Sequence, residues 1–246
     1  MRVTVLELPA TWGEPRRVLA DVERVLAAGP ATDLVLLPEQ ALSGYVSRRG
    51  DFDKAPFAEA IDGPTRSAVA GLARRQGAVV VAPLVLREAD ACFNAMIACD
   101  PSGELLLTYR KRHPWYPERW ATPGPHPAPV VSVAGLRITI AICFDLHFLE
   151  EDAAAALDAS DLLLFPSAWV AEDDERSTEL PAIARRHEVA VANANWASGV
   201  VTVSGQGGSS ILGANGEVLA RVERAAASDA AGPRRADATL ALPRRR

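Results

Sequence analysis

The sequence predicts an α/β fold, in which layers of buried strands are covered by helices. Apolar runs of strand length alternate with Ala/Leu/Arg segments at helical spacing, which is typical of layered α/β domains. The runs are rich in leucine and β-branched residues, which suit sheet interiors. Two turn sequences, at 100–103 and 214–216, separate neighbouring apolar runs and predict hairpins. We therefore expect mixed sheets.

The individual elements follow from these patterns. The first helix should lie on a sheet, because Val18, Val22, Val25 and Leu26 lie near one face and Gly29-Pro30 ends the segment. Helices are predicted at 14–28, 64–76, 149–158 and 177–187. Strands are predicted at 2–7, 33–37, 78–83, 93–99, 104–109, 130–133, 136–142, 161–165, 189–194, 201–203, 209–212 and 217–222.

An internal repeat is also indicated. The segments ATDLVLLPEQ (31–40) and ASDLLLFPSA (159–168) both follow a helical segment and both end beside a proline. This similarity suggests two related βα halves packed together. We expect residues 1–222 to form a single domain and the Ala/Arg/Pro-rich residues 223–246 to form a loosely held C-terminal arm.

Composition excludes several classes of function. The 246 residues are 49% hydrophobic and 23% charged, with a net charge of -5, which predicts a packed core and disfavours nucleic-acid binding. No apolar run approaches the length of a membrane span, and the N-terminus does not resemble a signal peptide. Three cysteines fit neither a disulfide framework nor a zinc site. We expect a cytoplasmic protein.

Three apolar runs end in reactive side chains. Cys143 ends the run LRITIAI at a strand-to-turn junction, where a thiol can act as a nucleophile and the backbone N–H of Phe144 can receive an oxyanion. Glu39 follows LVLLP, where partial burial can raise its pKa and make it a general base. The alternatives are an inert buried cysteine and a solvated or helix-capping glutamate.

The third run, ELLLTY, is followed by Arg110, Lys111 and Arg112. If Lys111 alone points inward, its ammonium can stabilise a thiolate and a tetrahedral oxyanion; otherwise it belongs to a basic surface stretch. Histidine is the usual base for a cysteine nucleophile. His147, four residues after Cys143, is the best histidine candidate, while His113, His126 and His187 have no decisive context.

Taken together, these segments resemble the nitrilase superfamily, the carbon-nitrogen hydrolases. The motifs are L-P-E-x-A-L-S-G-Y, Y-x-K-x-H and I-C-F-D-x-x-F-x-E, in that order, with DLLLFPSAW and the hairpin GQGGSSILGANGEVLA following. The resemblance covers nearly the whole chain, from Val3 to Ala220. It implies a four-layer α-β-β-α sandwich, commonly paired through helices into a homodimer.

The resemblance also implies a set of roles. Cys143 is expected as nucleophile, Glu39 as general base and Lys111 as oxyanion stabiliser, and Glu118 as a second glutamate that orients substrate and lysine. The expected reaction is hydrolysis of a small-molecule amide or N-carbamoyl compound through a thioester, with release of ammonia or amine. No metal or organic cofactor is required.

The segment after the cysteine narrows the substrate. Nitrile-hydrolysing branches usually carry Trp-Glu there, whereas this chain has Phe144-Asp145, so amidase and carbamoylase-like branches are closer. His147 stands where carboxylate-recognising branches often have arginine, which argues for neutral amides. Trp115, Tyr116 and Trp169 are expected to line an apolar pocket with Phe144. Nitrile hydrolysis, acyl transfer to an amine and a non-catalytic binding protein remain alternatives.

Overall fold

The computed structural model describes residues 1–9, 11–125, 127–170, 173–197, 206–222 and 232–241. Its strands are β1 (Arg2–Glu7), β2 (Leu34–Leu36), β3 (Val79–Glu88), β4 (Ala91–Cys99), β5 (Leu105–Arg110), β6 (Val131–Val133), β7 (Leu136–Ile140), β8 (Leu162–Pro166), β9 (Ala190–Ala194), β10 (Ser210–Leu212), β11 (Val218–Arg221) and β12 (Arg234–Thr239). The helices are α1 (Pro15–Ala27), α2 (Pro64–Gln76), α3 (Leu149–Asp158) and α4 (Arg176–His187), and short 3₁₀ helices span Ala55–Phe57 and Cys143–Phe148.

The four predicted helices are all present, with ends within one residue of those expected. Eleven of the predicted strands are also present, and the hairpins at 100–103 and 214–216 join the antiparallel pairs β4–β5 and β10–β11. The predicted strand at 201–203 lies outside the described residues, as does His126.

The strands form two six-stranded mixed sheets. The first has the order β12-β1-β2-β3-β4-β5 and the second β11-β10-β9-β8-β7-β6. Side chains alternate between the faces of each strand, so Leu34 and Leu36 pack towards the second sheet while Val35 packs with α1 and α2. Helices α3 and α4 cover the other side of the second sheet. The fold is therefore the predicted four-layer α-β-β-α sandwich.

The internal repeat extends to individual hydrogen bonds. Each sheet has three neighbouring parallel strands linked by two helices, followed by two antiparallel strands. The backbone N–H of Asp33 donates to the Arg2 carbonyl at 2.9 Å, and the Asp33 carboxylate accepts the Arg2 N–H at 2.6 Å. Asp161 does the same with Arg137, at 2.7 Å. The two similar decapeptides therefore begin equivalent strands, β2 and β8.

The C-terminal arm contains a strand that the sequence did not predict. Strand β12 pairs antiparallel with β1 over six residue pairs, from Arg2 opposite Thr239 to Glu7 opposite Arg234. Arg234 also reaches the buried Glu7 carboxylate at 2.8 Å. The expectation of a loosely held arm is therefore wrong for 234–239, because the sequence RRADAT lacks the apolar residues that marked the other strands. The other arm residues described are Gly232, Pro233, Leu240 and Ala241.

The helices of the described ranges are each too short or too polar to traverse a lipid bilayer.

Candidate active site

The three predicted reactive residues meet at one end of the sandwich, between the two sheets. Glu39 lies three residues after β2, Lys111 directly after β5 and Cys143 three residues after β7. All three are buried, with exposed fractions of 1%, 1% and 7%. Three segments far apart in sequence are thus brought together by the packing of one sheet on the other.

Strand alternation explains why Lys111 points inward while its two neighbours do not. Leu107 and Tyr109 face the interior between the sheets, and Lys111 continues that face by a period of two. The backbone N–H of Lys111 bonds to the Asn94 carbonyl at 2.8 Å, which extends the β4–β5 ladder by one residue. Arg110 and Arg112 instead pair with carboxylates at the surface.

Lys111 is held between two buried carboxylates. Its Nζ lies 2.6 Å from Glu39 Oε1 and 2.8 Å from Glu118 Oε2. Glu118 is itself 2% exposed and accepts the backbone N–H of Trp115 at 2.8 Å. The structure therefore places the fourth predicted residue in direct contact with the lysine. With both carboxylates ionised, the cluster carries one negative charge in excess.

Two amide side chains complete this cluster, and the sequence analysis did not identify either. Asn94 Nδ2 donates to both Glu39 Oε1 and Glu118 Oε1, at 2.7 Å each. Gln40 donates to Glu118 Oε1 as well. Asn94 is the one polar residue in the buried strand FNAMIAC, and buried polar groups need partners. A single polar residue in an otherwise apolar strand was therefore the feature of the sequence that could have indicated a role for Asn94.

Cys143 occupies a sharp turn at the end of the LRITIAI run. Its φ of +47° is uncommon for a residue with a side chain, and such strained positions cluster at functional sites. The turn is stabilised by buried Asp145, which accepts the N–H of Ile142 at 2.9 Å. Asp145 also accepts the hydroxyl of Tyr109 and the N–H of His113, each at 2.9 Å. The cysteine turn is thus connected to the segment that carries Lys111.

Burial and mutual charge set the protonation of the cluster. Burial raises the pKa of Glu39, and Glu118 adds to the rise while Lys111 opposes it. Burial acts to lower the pKa of Lys111, but Glu118 and Glu39 outweigh it and raise the pKa well above the usual range. Lys111 therefore keeps its charge.

The thiol is protonated in the resting site. Burial raises the pKa of Cys143 well above its usual range, with Glu39 adding and Lys111 opposing. The backbone N–H of Ala168 acts to lower this pKa and also donates to Glu39 Oε2 at 3.0 Å. Transfer of the thiol proton needs a nearby base whose own pKa is raised. Glu39 meets that requirement.

Cys143 opens onto a cavity of about 140 Å³. The predicted residues Trp115, Phe144, His147 and Trp169 all line it. Tyr45, Ala168 and Val170 complete the wall. Tyr45 was not singled out in the sequence, although it ends the motif LSGY. The lining is mostly apolar and aromatic, which is typical of small-molecule sites.

The prediction that Tyr116 lines the apolar pocket is wrong. Tyr116 is 73% exposed, and its hydroxyl oxygen accepts a hydrogen bond from Arg119 at 2.6 Å on the protein surface. It does not line the cavity, because the chain turns between Trp115 and Glu118 and directs Tyr116 outward. The Pro/Gly-rich context of this loop does not indicate which of its aromatic residues point inward.

His147 lies on the cavity wall, away from the carboxylate cluster. Its ring packs edge-on against Phe144 and lies 5.8 Å from the ring of Trp169. Its Nδ1 is 3.5 Å from a carboxylate oxygen of Glu175. His113 instead bonds to Asp152 at 2.6 Å and braces the loop after Lys111. Neither histidine bonds to the buried cluster, so the carboxylate is the base that this geometry offers.

Comparison with known proteins agrees with this geometry. Residues 2–228 match the family model described as carbon-nitrogen hydrolase. The chain belongs to the carbon-nitrogen hydrolase family. It is therefore a hydrolase of carbon–nitrogen bonds, as the resemblance in sequence implied.

Solved structures extend the comparison to the whole fold. An amidase from Nesterenkonia sp. AN1, of the nitrilase superfamily, matches with a TM-score of 0.83 and 26% identity, over 98% of this chain and 92% of that one. One variant of that amidase carries acrylamide added to its active-site cysteine, and another was solved with butyramide.

Curated relatives match the chain over shorter ranges. A protein of Pseudomonas protegens described as a hydrolase in the pqqF 5′ region is 29% identical over 89% of this chain and 78% of its own length. A nitrilase of Pyrococcus abyssi is 26% identical over 74% of this chain and 71% of its own. A formamidase of Bacillus cereus is 26% identical over 65% of this chain, and the match spans about half of that enzyme (49%).

Proposed function

We propose that this carbon-nitrogen hydrolase is an amidase that hydrolyses short, uncharged carboxamides through a thioester on Cys143. The observation that carries the proposal is the position of Cys143, in a strained turn between an apolar cavity and the buried Glu39–Lys111–Glu118 cluster. The cavity can hold an acyl group while the cluster supplies a base and a cation.

In the proposed first half-reaction, Glu39 removes the Cys143 proton as the sulfur attacks the amide carbon. A C–S bond forms, and the carbonyl oxygen becomes an oxyanion that Lys111 and the N–H of Phe144 stabilise. The oxyanion then collapses, the C–N bond breaks, and Glu39 returns its proton to the nitrogen, which leaves as ammonia. The acyl group remains on the sulfur as a thioester.

In the second half-reaction, Glu39 takes a proton from a water molecule, which attacks the thioester carbon. The second tetrahedral intermediate breaks its C–S bond, the sulfur recovers the proton from Glu39, and the carboxylic acid leaves. Glu118 does not exchange protons in this scheme. It holds Lys111 at 2.8 Å, so that the ammonium keeps its position while Glu39 changes its charge.

The substrate class follows from the cavity. Among the described residues, its lining includes no arginine or lysine, so these residues offer no strong partner for a substrate carboxylate. Its volume, about 140 Å³, is similar to that of an engineered apolar cavity that holds benzene, of about 150 Å³. An acyl group of a few carbon atoms fits this space. The amides bound to the Nesterenkonia amidase, acrylamide and butyramide, are of this kind.

The test is ammonia release from purified protein incubated with acetamide, butyramide, an N-carbamoyl amino acid and a short nitrile. We expect neutral amides to react, and the variant Cys143→Ala to lose turnover while keeping its melting temperature within a few degrees. The succinamate half-amide, matched to butyramide in length, tests for discrimination against a carboxylate. Adding hydroxylamine as acceptor distinguishes hydrolysis from acyl transfer. Retained activity in Cys143→Ala, or no ammonia from any substrate, would refute the proposal.

Two further properties are proposed, the location and the oligomeric state. The three cysteines are all unpaired and buried, which fits the reducing cytoplasm. A homodimer that pairs through helices is proposed from the family resemblance. Light scattering of the purified protein tests the dimer, and cell fractionation tests the location.

A further inference from the structure

Lysine is rare in this chain, and its positions are unusual. Only two of the 26 lysine and arginine residues are lysines, Lys54 and Lys111, and both are fully buried. Every exposed side chain among the described lysines and arginines is therefore an arginine. Lys111 belongs to the reactive cluster, whereas Lys54 has no part in the reaction above. Lysine differs from arginine in its compact ammonium group, so position 54 uses a group that the surface does not.

Within the part of the chain that the structure describes, the hydrogen-bond partners of Lys54 are backbone carbonyls. Its Nζ donates to the carbonyl oxygen of Tyr45 at 2.6 Å and to that of Phe52 at 3.5 Å. It also lies 3.8 Å from the ring centroid of Trp12, a cation–π contact. Among the described residues, none supplies a carboxylate oxygen within 4.0 Å of it. An ammonium buried without a counter-ion is costly and needs a structural reason.

Nearby acidic groups influence Lys54 only from a distance. They are Asp51 and Asp53 on its own segment, and Glu39 and Glu118 in the reactive cluster. Burial dominates these charges and lowers the pKa of Lys54 to about 7.

The residue that Lys54 binds is part of the cavity wall. Tyr45 lines the cavity beside Cys143. Its ring packs against Trp196 at 5.1 Å, Phe52 at 5.7 Å and Trp115 at 6.4 Å between centroids. One ammonium therefore joins the backbone at both ends of the 45–52 segment, and that segment supplies two members of this aromatic group.

We propose that Lys54 is a positioning residue that sets the size of the acyl cavity, by joining the carbonyls of Tyr45 and Phe52 and so holding the Tyr45 ring in the wall. The inference rests on the proposed function, since it takes this cavity as the site of the acyl group. Lys54 touches neither substrate nor the reacting atoms. Its loss should therefore change which amides fit and leave the chemistry at Cys143 in place.

The test compares size selectivity between wild type and Lys54→Met, a change that keeps a flexible unbranched side chain, one atom shorter, and removes the charge. The readout is the ratio of kcat/KM for acetamide to that for hexanamide. We expect the ratio to fall about tenfold, mainly through a lower KM for hexanamide, because a loosened wall admits the longer chain. Arg48→Met removes an exposed cation from the same segment and is the matched control, with an unchanged ratio.

A second readout does not depend on turnover. The rate of Cys143 alkylation by 2-chloroacetamide and by 2-chlorohexanamide, measured by peptide mass spectrometry, reports the same selectivity. Absence of amide hydrolysis by wild type would refute the proposed function. The inference about Lys54 would still stand if Lys54→Met favours alkylation by the longer reagent about tenfold more than wild type does. An unchanged alkylation ratio in folded Lys54→Met overturns the inference whatever the hydrolysis shows.

A double-mutant cycle tests the route through Tyr45. The Tyr45→Ala substitution removes the Tyr45 ring from the cavity wall, so adding Lys54→Met to it should leave the acetamide-to-hexanamide ratio of kcat/KM unchanged. A further change of the same size would show that Lys54 does not act through Tyr45. Lys54→Gln, which retains a neutral N–H donor, should give an intermediate ratio. If none of these variants folds, the wild-type alkylation ratio at pH 6 and pH 8.5 decides. It should shift towards the longer reagent as the ammonium loses its charge, and a constant ratio would refute the proposal.

Discussion

Asn94 offers the sharpest test of how the buried cluster is held together. Asn94→Ala removes one amide nitrogen that donates to Glu39 and Glu118 at 2.7 Å each. A hydrogen bond to a charged group contributes about 1.5–3 kcal/mol. One nitrogen donates both hydrogen bonds, and both carboxylates remain in contact with Lys111 after the substitution. We therefore expect the free energy of unfolding to fall by about 2–4 kcal/mol, which is less than the sum of two independent hydrogen bonds to charged groups. Urea denaturation measures this loss.

The same substitution should change the pH dependence of catalysis. The bond from Asn94 acts to lower the pKa of Glu39, which burial raises. Without it, the pKa of Glu39 rises further. Glu39 must be ionised to accept the thiol proton, so the acid limb of kcat/KM should move to higher pH. A pH profile with acetamide as substrate measures the displacement.

A second buried asparagine provides the matched control. Asn193, in strand β9, is 2% exposed, as is Asn94, but its side chain contacts neutral partners, Ser167 and the carbonyl of Gly208. Asn193→Ala should cost about 1 kcal/mol of stability and leave the acid limb in place. If Asn94→Ala loses no more stability than this control and its acid limb does not move, the amide does not support the cluster as argued.

Three other predictions concern stability. Arg234→Met removes an ion pair to the buried Glu7 carboxylate and should lower the free energy of unfolding by about 3 kcal/mol in urea titrations. Thr139→Val replaces a buried hydroxyl that has no hydrogen-bond partner among the described residues, and should be neutral or stabilise by up to about 1 kcal/mol; a clear loss would contradict this. Lys54 has a pKa of about 7 when folded and 10.5 in its ordinary state. The native state thus binds fewer protons between these values, so unfolding free energy should rise with pH there, by at most about 1.4 kcal/mol per unit, and Lys54→Met should remove the rise.

The helices and most strands could be predicted because hydrophobic period and turn chemistry are local properties. The 64–76 and 149–158 helices coincide with α2 and α3 to the residue. Strand β12 escaped prediction because its stability comes from pairing with β1 and from the Glu7–Arg234 contact, both more than 200 positions away in sequence. Within RRADAT the apolar positions, Ala236 and Ala238, alternate with polar residues, but alanine gives a weaker strand signal than leucine or β-branched residues.

The reactive residues could be predicted by type, but their supporting contacts could not. Strand ends and motif order pointed to Glu39, Lys111 and Cys143, whereas the inward orientation of Lys111 needed the register of β5 against β4. Asp145 was noted only as part of a motif. Its role as acceptor for three donors from two segments depends on the packing of the Cys143 turn against Tyr109.

The internal repeat explains why one candidate site arises from two similar halves. The segments 31–40 and 159–168 form equivalent strands and then diverge: Pro38 is followed by Glu39, and Pro166 by Ser167. The two segments are in contact at these differing residues, because the backbone N–H of Ala168 donates to Glu39 Oε2 at 3.0 Å. One copy thus supplies the carboxylate and the other a backbone donor with no charge of its own. A carboxylate at both positions would place a further negative charge beside a cluster that already has one in excess, and would raise the pKa of Glu39 further. The absence of a second carboxylate at Ser167 therefore helps Glu39 to remain able to ionise and act as a base.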